Sequence, residues 1–293
     1  MSVVGIDIIS KRGERRKYLP LEMRMKMYED VVELRRRELS YSQIQKILYE
    51  KYGKQISLSS IGYWVNERHY PLGKINKFNG EPSPELAYII GVILSDGYKY
   101  LYNKGGSYRL QLDAKDRDFV EEFKEKLTKV LQRKKPYKLQ WDEKKGVWRV
   151  EGYSVQLFEF LNRPLKELKP YIEYNKDCIS AFLRALFDAE GSVFVKIREK
   201  RRQRKVRLYN SNKELLNYTK YLLERYFNIN VTIRVDRQEG SVKLFPNNKI
   251  SKTTKDSYCL YIHANSLLNF YKYIGFSIKR KQRLLIKAIK CFN

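Results

Sequence analysis

The sequence has few of the residues that build disulfide frameworks or zinc sites: three cysteines and two histidines among 293 residues. Cys178, Cys259 and Cys291 are odd in number and share no metal-ligand spacing, and only His69 and His263 stand beside them. A tetrahedral zinc site is therefore disfavoured and a reducing compartment is expected. Any catalytic metal must be held mainly by carboxylates, which selects a hard cation. Long apolar runs are also missing. The best candidate, residues 86–94, is too short to span a bilayer and contains Gly91. No signal peptide is expected from the opening residues, since Gly5 and Asp7 interrupt the apolar stretch and residues 11–17 are strongly basic. These absences predict no membrane partner and a place in the cytoplasm of a prokaryotic cell, with an organelle as the alternative. Acidic residues are the last shortage: 33 Asp and Glu face 60 Lys and Arg, a formal net charge of +27. Such a chain repels itself when compact unless it meets a polyanion, and nucleic acid is the first candidate.

What is present begins with helices. Between residues 19 and 65 apolar side chains recur at helical spacing: Leu21, Met25, Tyr28, Val32 and Leu39 mark a first helix, and Ile44, Ile47, Leu48 and Tyr52 a second. Ser40 or Ser42 caps the second, Gly53 breaks it, and Ser57 caps a third with Leu58, Ile61 and Val65 as its buried stripe. Two short amphipathic helices about a glycine-containing turn match a helix-turn-helix. On the third helix Ser59, Ser60, Tyr63 and Asn66 fall outward, with Arg68 close by. These are side chains that reach base edges and phosphates.

Residues 71–84, with three prolines, two glycines and no periodicity, read as a linker. The chain thus divides into a helix-turn-helix domain (1–70), a linker (71–84), and two repeats of one α/β order (85–177 and 178–293). Each repeat opens on the same short sentence. Ile89-Ile90-Gly91-Val92-Ile93-Leu94-Ser95-Asp96-Gly97 and Leu183-Arg184-Ala185-Leu186-Phe187-Asp188-Ala189-Glu190-Gly191 both run an apolar helix into an acid and a glycine. The third position is small in both, which lets two helix backbones approach closely. An acid at a helix C-terminus opposes the macrodipole. Two of them at the ends of paired helices are costly unless a cation sits between them.

These paired segments resemble the two motifs of single-chain LAGLIDADG homing endonucleases, and the resemblance covers residues 85–293. It implies an α+β fold of duplicated αββαββα units, forming a pseudo-twofold saddle of antiparallel sheets, joined here to an all-α helix-turn-helix domain. It implies site-specific double-strand DNA cleavage across the minor groove leaving short 3′ overhangs. Asp96 and Glu190 are then the metal ligands and catalytic acids, with Mg²⁺ as cofactor and Mn²⁺ as a substitute. The family also places basic residues near the metals. Lys115, at the end of a strand in the first repeat, takes that role, whereas the second repeat offers Ser211 there and leaves Lys196 or Lys205 as alternatives.

DNA contacts are expected from Lys99, Arg109 and Gln111 in the first repeat. In the second they are expected from the basic block at 196–207, namely Lys196, Arg198, Arg201, Arg202, Arg204, Lys205 and Arg207. The expected partner is a long, asymmetric duplex bound by a monomer, because the two halves differ in sequence. Two alternatives share the fold: a non-catalytic DNA-binding regulator, and a maturase whose partner is intron RNA.

Overall fold

The computed structural model describes residues 7–9, 15–17, 19–68, 70–71, 78–102, 107–198, 201–244 and 250–290. The chain divides into two compact units, Met1–Asn76 with Leu101–Tyr108, and Lys77–Tyr100 with Arg109–Asn293.

The first unit opens with an antiparallel pair, β1 (Asp7–Ile9) and β2 (Arg15–Lys17), and so is not purely helical. Three helices follow: α1 (Leu21–Arg36), α2 (Tyr41–Tyr52) and α3 (Leu58–Val65). Ser40 caps α2 through a capping box with Gln43, and Gly53 ends it in the left-handed region at φ 63°. Met27, Val31, Ile44, Leu48, Ile61 and Trp64 make the core. The buried phase of α1 is thus Met27 and Val31 rather than the expected Met25 and Val32. Methionines at 23, 25 and 27 make either phase plausible in the sequence, and packing selects one. Leu58, expected in the stripe of α3, is exposed, and Trp64 takes its place in the core.

The second unit carries the repeated order. In the first repeat this is α4 (Pro84–Ile93), β3 (Tyr98–Tyr102), β4 (Ser107–Ala114), α5 (Arg117–Val130), β5 (Gln140–Asp142), β6 (Val147–Tyr153), α6 (Val155–Leu161) and α7 (Leu165–Ile172). The second repeat runs α8 (Lys176–Glu190), β7 (Gly191–Arg198), β8 (Arg201–Asn210), α9 (Lys213–Phe227) and β9 (Val231–Arg237). It continues with a short antiparallel pair, β10 (Val242–Leu244) and β11 (Ile250–Lys252), then β12 (Ser257–Ile262), α10 (Leu267–Tyr273) and α11 (Lys279–Lys290). Two four-stranded sheets result, ordered β3-β4-β6-β5 and β7-β8-β12-β9. The same order in both sheets is the duplication made visible. Ladders described in each are antiparallel.

The helices α4 and α8 pack side by side at the centre of this unit's core. Ser83 accepts from the Leu86 amide (3.2 Å) and Pro84 sits in the first turn, so α4 starts where capping chemistry demands. Eight consecutive residues of α4, Leu86–Ile93, are buried, which explains an apolar run with no amphipathic period. The close approach rests on Gly91: a Cβ there would lie 2.7 Å from both the Ala185 Cβ and the Phe182 carbonyl oxygen. Strand alternation then sends Leu110, Leu112, Val206 and Leu208 into the core and leaves the intervening side chains on the other face of each sheet. Among the described residues no helix is long and apolar enough to cross a membrane.

Candidate functional site

The two motif helices end differently. α8 stays helical through Glu190, whereas α4 ends at Ile93 and Asp96 lies in the turn beyond it. Gly97 donates its amide to the Val92 carbonyl (2.8 Å), which brings the chain back against the helix. Gly97 and Gly191 follow the acids for lack of room rather than for a left-handed backbone. A Cβ at Gly97 would meet the Ile93 side chain at 2.9 Å, and one at Gly191 would collide with the Phe187 carbonyl oxygen.

Asp96 and Glu190 are brought into electrostatic contact. Burial raises the Glu190 carboxyl, and the charge of Asp96 raises it further, to about 7, against the pull of Lys281. Burial also raises the Asp96 carboxyl, again opposed by Lys281. As a residue Asp96 is exposed and Glu190 half-buried, so both carboxylates are crowded by protein and reachable from solvent. Neither has an ion-pair partner within 4.0 Å among the described residues. Asn210, the last residue of β8, donates its amide to Glu190 Oε1 (3.3 Å).

Lys281, on α11, is buried, and its ammonium donates to the Phe187 and Asp188 carbonyls in the last turn of α8. The Phe187 carbonyl also accepts from the Gly191 amide that closes α8, and the negative end of the helix dipole favours a cation there. Burial lowers the Lys281 pKa against the carboxylates around it, Asp188 first among them. Asp188 is itself buried. It accepts from Tyr88 Oη of α4 (3.0 Å) and from the amide (2.9 Å) and hydroxyl (2.6 Å) of Ser277, and burial pushes its carboxyl up to about 6. The first turn of α11 also reaches the first repeat. Arg280 forms a two-bond pair with Asp116 (3.1 and 2.7 Å), and the Lys279 amide donates to Asp118 (3.0 Å).

Other expected residues scatter around this centre. Lys115 is exposed at the end of β4, next to Asp116. Arg109 and Gln111 lie on the sheet face opposite the core, Arg109 bonded to Glu151 (3.0 Å) and Gln111 to Asp113 (2.7 Å). Lys99 points elsewhere, its ammonium held by the Leu161 carbonyl at 2.6 Å. In the second sheet Lys196, Lys205 and Arg207 alternate with core residues, but Arg204 turns toward α11 and donates to the Ala288 carbonyl (3.2 Å). The side chains of Arg198, Arg201 and Arg202 lie outside the described residues. In the N-terminal unit Ser59, Tyr63, Asn66 and Arg68 are exposed and Ser60 is half-buried. The hydroxyl of Ser60 is engaged with Ser57 (2.8 Å), and Asn66 donates to the Gly62 carbonyl (2.7 Å).

Comparison with known proteins decides the family. The LAGLIDADG-like domain family matches residues 177–275. An uncharacterised protein of Methanocaldococcus jannaschii is 33% identical over 265 residues, which is 90% of this chain and 93% of the relative. The chain belongs to the LAGLIDADG family. Solved structures similar to this LAGLIDADG chain include the homing endonuclease I-DmoI in complex with DNA and Ca (21% identity, TM-score 0.47, 70% of this chain and 97% of that one). Full-length DUF199/WhiA from Thermatoga maritima is another (19% identity, TM-score 0.45, 74% and 63%). Lys281, Asn210 and Asp188 are what sequence reasoning about this LAGLIDADG chain missed. A signal for the first existed: Lys281, Leu285 and Ala288 share one stripe of α11 and are its buried residues, so a lysine on an apolar stripe marked a buried charge.

Proposed function

We propose that this LAGLIDADG protein is a site-specific DNA endonuclease that hydrolyses both strands of a duplex across the minor groove, leaving short 3′ overhangs. The observation that carries the reading is the pairing of Asp96 with Glu190. Two carboxylates from equivalent places in two repeats are both raised by burial, and the charge of Asp96 raises Glu190 further, with no ion-pair partner among the described residues. Such a pair fits a hard divalent cation, Mg²⁺ or Mn²⁺ in its place. No group of three or more His, Cys, Asp or Glu gathers among the described residues, so Asp96 and Glu190 would hold the ion with water completing its shell. A bound cation would polarise the scissile phosphate and lower the pKa of water. The chain's own groups do the rest. Asn210 orients the Glu190 carboxylate, Lys281 offsets the repulsion between the two acids, and Lys115 would meet a phosphate as a point charge.

A second reading, a non-catalytic DNA-binding regulator, is favoured by one observation: Lys281 already neutralises part of the acid pair without a metal. Incubating the protein with a random-sequence duplex library and Mg²⁺ separates the two. Cleavage predicts recovered ends that share one long, non-palindromic sequence, bound by one protein per duplex. Binding without cuts in Mg²⁺ or Mn²⁺ supports the regulator.

The N-terminal unit is proposed as a helix-turn-helix domain of residues 1–70, joined by a linker at 71–84, with α3 as its recognition helix. Tyr63 is 51% exposed and Arg68 is exposed, so replacing them leaves the fold intact. Tyr63→Ala with Arg68→Gln should shorten the DNA footprint on one side and leave the cut position unchanged. An unchanged footprint would make the helices a scaffold.

A further inference from the structure

The two sheets have the same order but differ in electrostatics on the face away from the core. Aligned by Asp116 and Asn212, which hold the N-cap positions of α5 and α9, Arg109 stands where Lys205 does, Gln111 where Arg207 does, and Asp113 where Tyr209 does. Across the ladders, Arg149 and Glu151 of β6 correspond to Cys259 and Tyr261 of β12.

On the first sheet the guanidinium groups are already neutralised. Arg149 forms a two-bond pair with Asp113 (2.9 and 2.8 Å) and reaches Asp142 (3.0 Å), while Arg109 pairs with Glu151 (3.0 Å). These pairs are largely shielded from water: Asp113 is 11% and Glu151 19% exposed at the side chain. Gln111 joins the chain by donating to Asp113 (2.7 Å) and accepting from Tyr100 (3.2 Å). The result is a fixed array of donors and acceptors with little charge to offer a phosphate.

Arg109 also lies over rings, 5.1 Å from the Tyr100 centre and 5.3 Å from that of Tyr153, but on the second sheet rings stand beside the cations without carboxylates. Arg207 sits 5.3 Å from the Phe194 ring centre and 5.8 Å from that of Tyr209, and Lys205 and Arg234 flank Tyr261 at 5.9 Å each. Neither Lys205, Arg207 nor Arg234 has a carboxylate within 4.0 Å among the described residues. The acid at this sheet's outer strand, Asp236, lies 3.7 Å from Arg237.

From this difference we infer that the two repeats divide DNA recognition. The second sheet anchors its half-site through phosphates, and the first reads bases in the other half-site through a preorganised hydrogen-bonding array. Phosphate contacts release counterions and so carry the salt dependence, whereas base-edge contacts carry sequence information. Side chains already locked by neighbours lose little entropy on binding, which suits a reading surface. Arg and carboxylates also match the base edges of the major groove, while Gln111, itself buried, holds Asp113 in place.

The inference rests on the DNA-binding reading above, and the test keeps the two apart. Binding of the full-length protein to a mixed-sequence duplex is measured over a range of KCl. Lys205→Gln with Arg207→Gln should flatten the log–log slope by about 1.8, at about 0.9 for each phosphate no longer neutralised. Arg109→Gln with Arg149→Gln should leave the slope nearly unchanged. Selection from a random-sequence library should then show base preference lost over one half of the site only. Asp113→Asn with Glu151→Gln keeps the test decisive if the arginine variant fails to fold: freeing the Arg109 guanidinium from Glu151 and leaving Arg149 with Asp142 alone should steepen the slope. Equal flattening by both basic pairs, or no steepening by the acid pair, overturns the division while leaving DNA binding intact. No salt-dependent binding by the wild type overturns both readings.

Discussion

The C-terminal ends of the two motif helices are closed by unlike devices. α4 is closed from within: the Ser95 hydroxyl, one turn on, bonds to the Gly91 (2.8 Å) and Val92 (3.1 Å) carbonyls. α8 is closed from the far end of the chain, by the ammonium of Lys281 on α11. Leu94 stands in the first motif where Asp188 stands in the second, so the buried carboxylate that ties α8 to Ser277, just before α11, has no counterpart. A duplicated motif therefore need not mean duplicated support. The first acid depends on its own turn, and the second depends on a helix that also bonds to Asp116 and Asp118 of the first repeat.

That contrast is broken most directly at Lys281. Lys281→Met removes a buried charge-assisted cap, leaves the Phe187 carbonyl with the Gly191 amide alone and takes the ammonium from the Asp188 carbonyl, and should cost about 3 kcal/mol in denaturant unfolding. A loss below about 1 kcal/mol would mean that water replaces the ammonium at no cost. The helix contact comes next. Gly91→Ala should cost about 2 kcal/mol by overpacking, whereas Ala185→Gly on the facing helix should cost about 1 kcal/mol, from backbone entropy and the loss of one buried methyl. Equal costs would show that the helices can spread. Ser95→Ala, which removes only a neutral cap, should cost about 1 kcal/mol and leave α8 untouched. The smallest effect is expected from Arg280→Gln. Arg280 is 62% exposed at the side chain, so its pair with Asp116 should contribute no more than about 0.5 kcal/mol, screened by salt.

Much of this was legible in the sequence because it was local and repeated. The two motif helices and the repeat of one α/β order follow from the duplicated segment, which also singles out Asp96 and Glu190 as candidates. The phase of α1 was not legible, since three alternate methionines fit two faces. The short helices α6 and α7 and the pair β10–β11 carry no distinct period of their own. Lys99 and Arg204 illustrate a further limit. Both are basic strand residues, yet alternation places them on the side of the sheet that meets helices, where backbone carbonyls take their charge. The supports of the second acid were hidden for the same reason that they matter: Asn210 and Lys281 reach it through the fold rather than through nearby sequence.

The central claim is that Asp96 and Glu190 jointly serve metal-dependent cleavage. Its most direct test is to compare wild type, Asp96→Asn and Glu190→Gln on the duplex selected by the wild type, measuring binding and cutting in the same Mg²⁺ buffer. Both variants should bind nearly as the wild type does, lose double-strand cleavage, and lose the rise in melting temperature that Mg²⁺ gives the wild type. Cleavage at the wild-type rate by either variant would contradict the assignment of that acid.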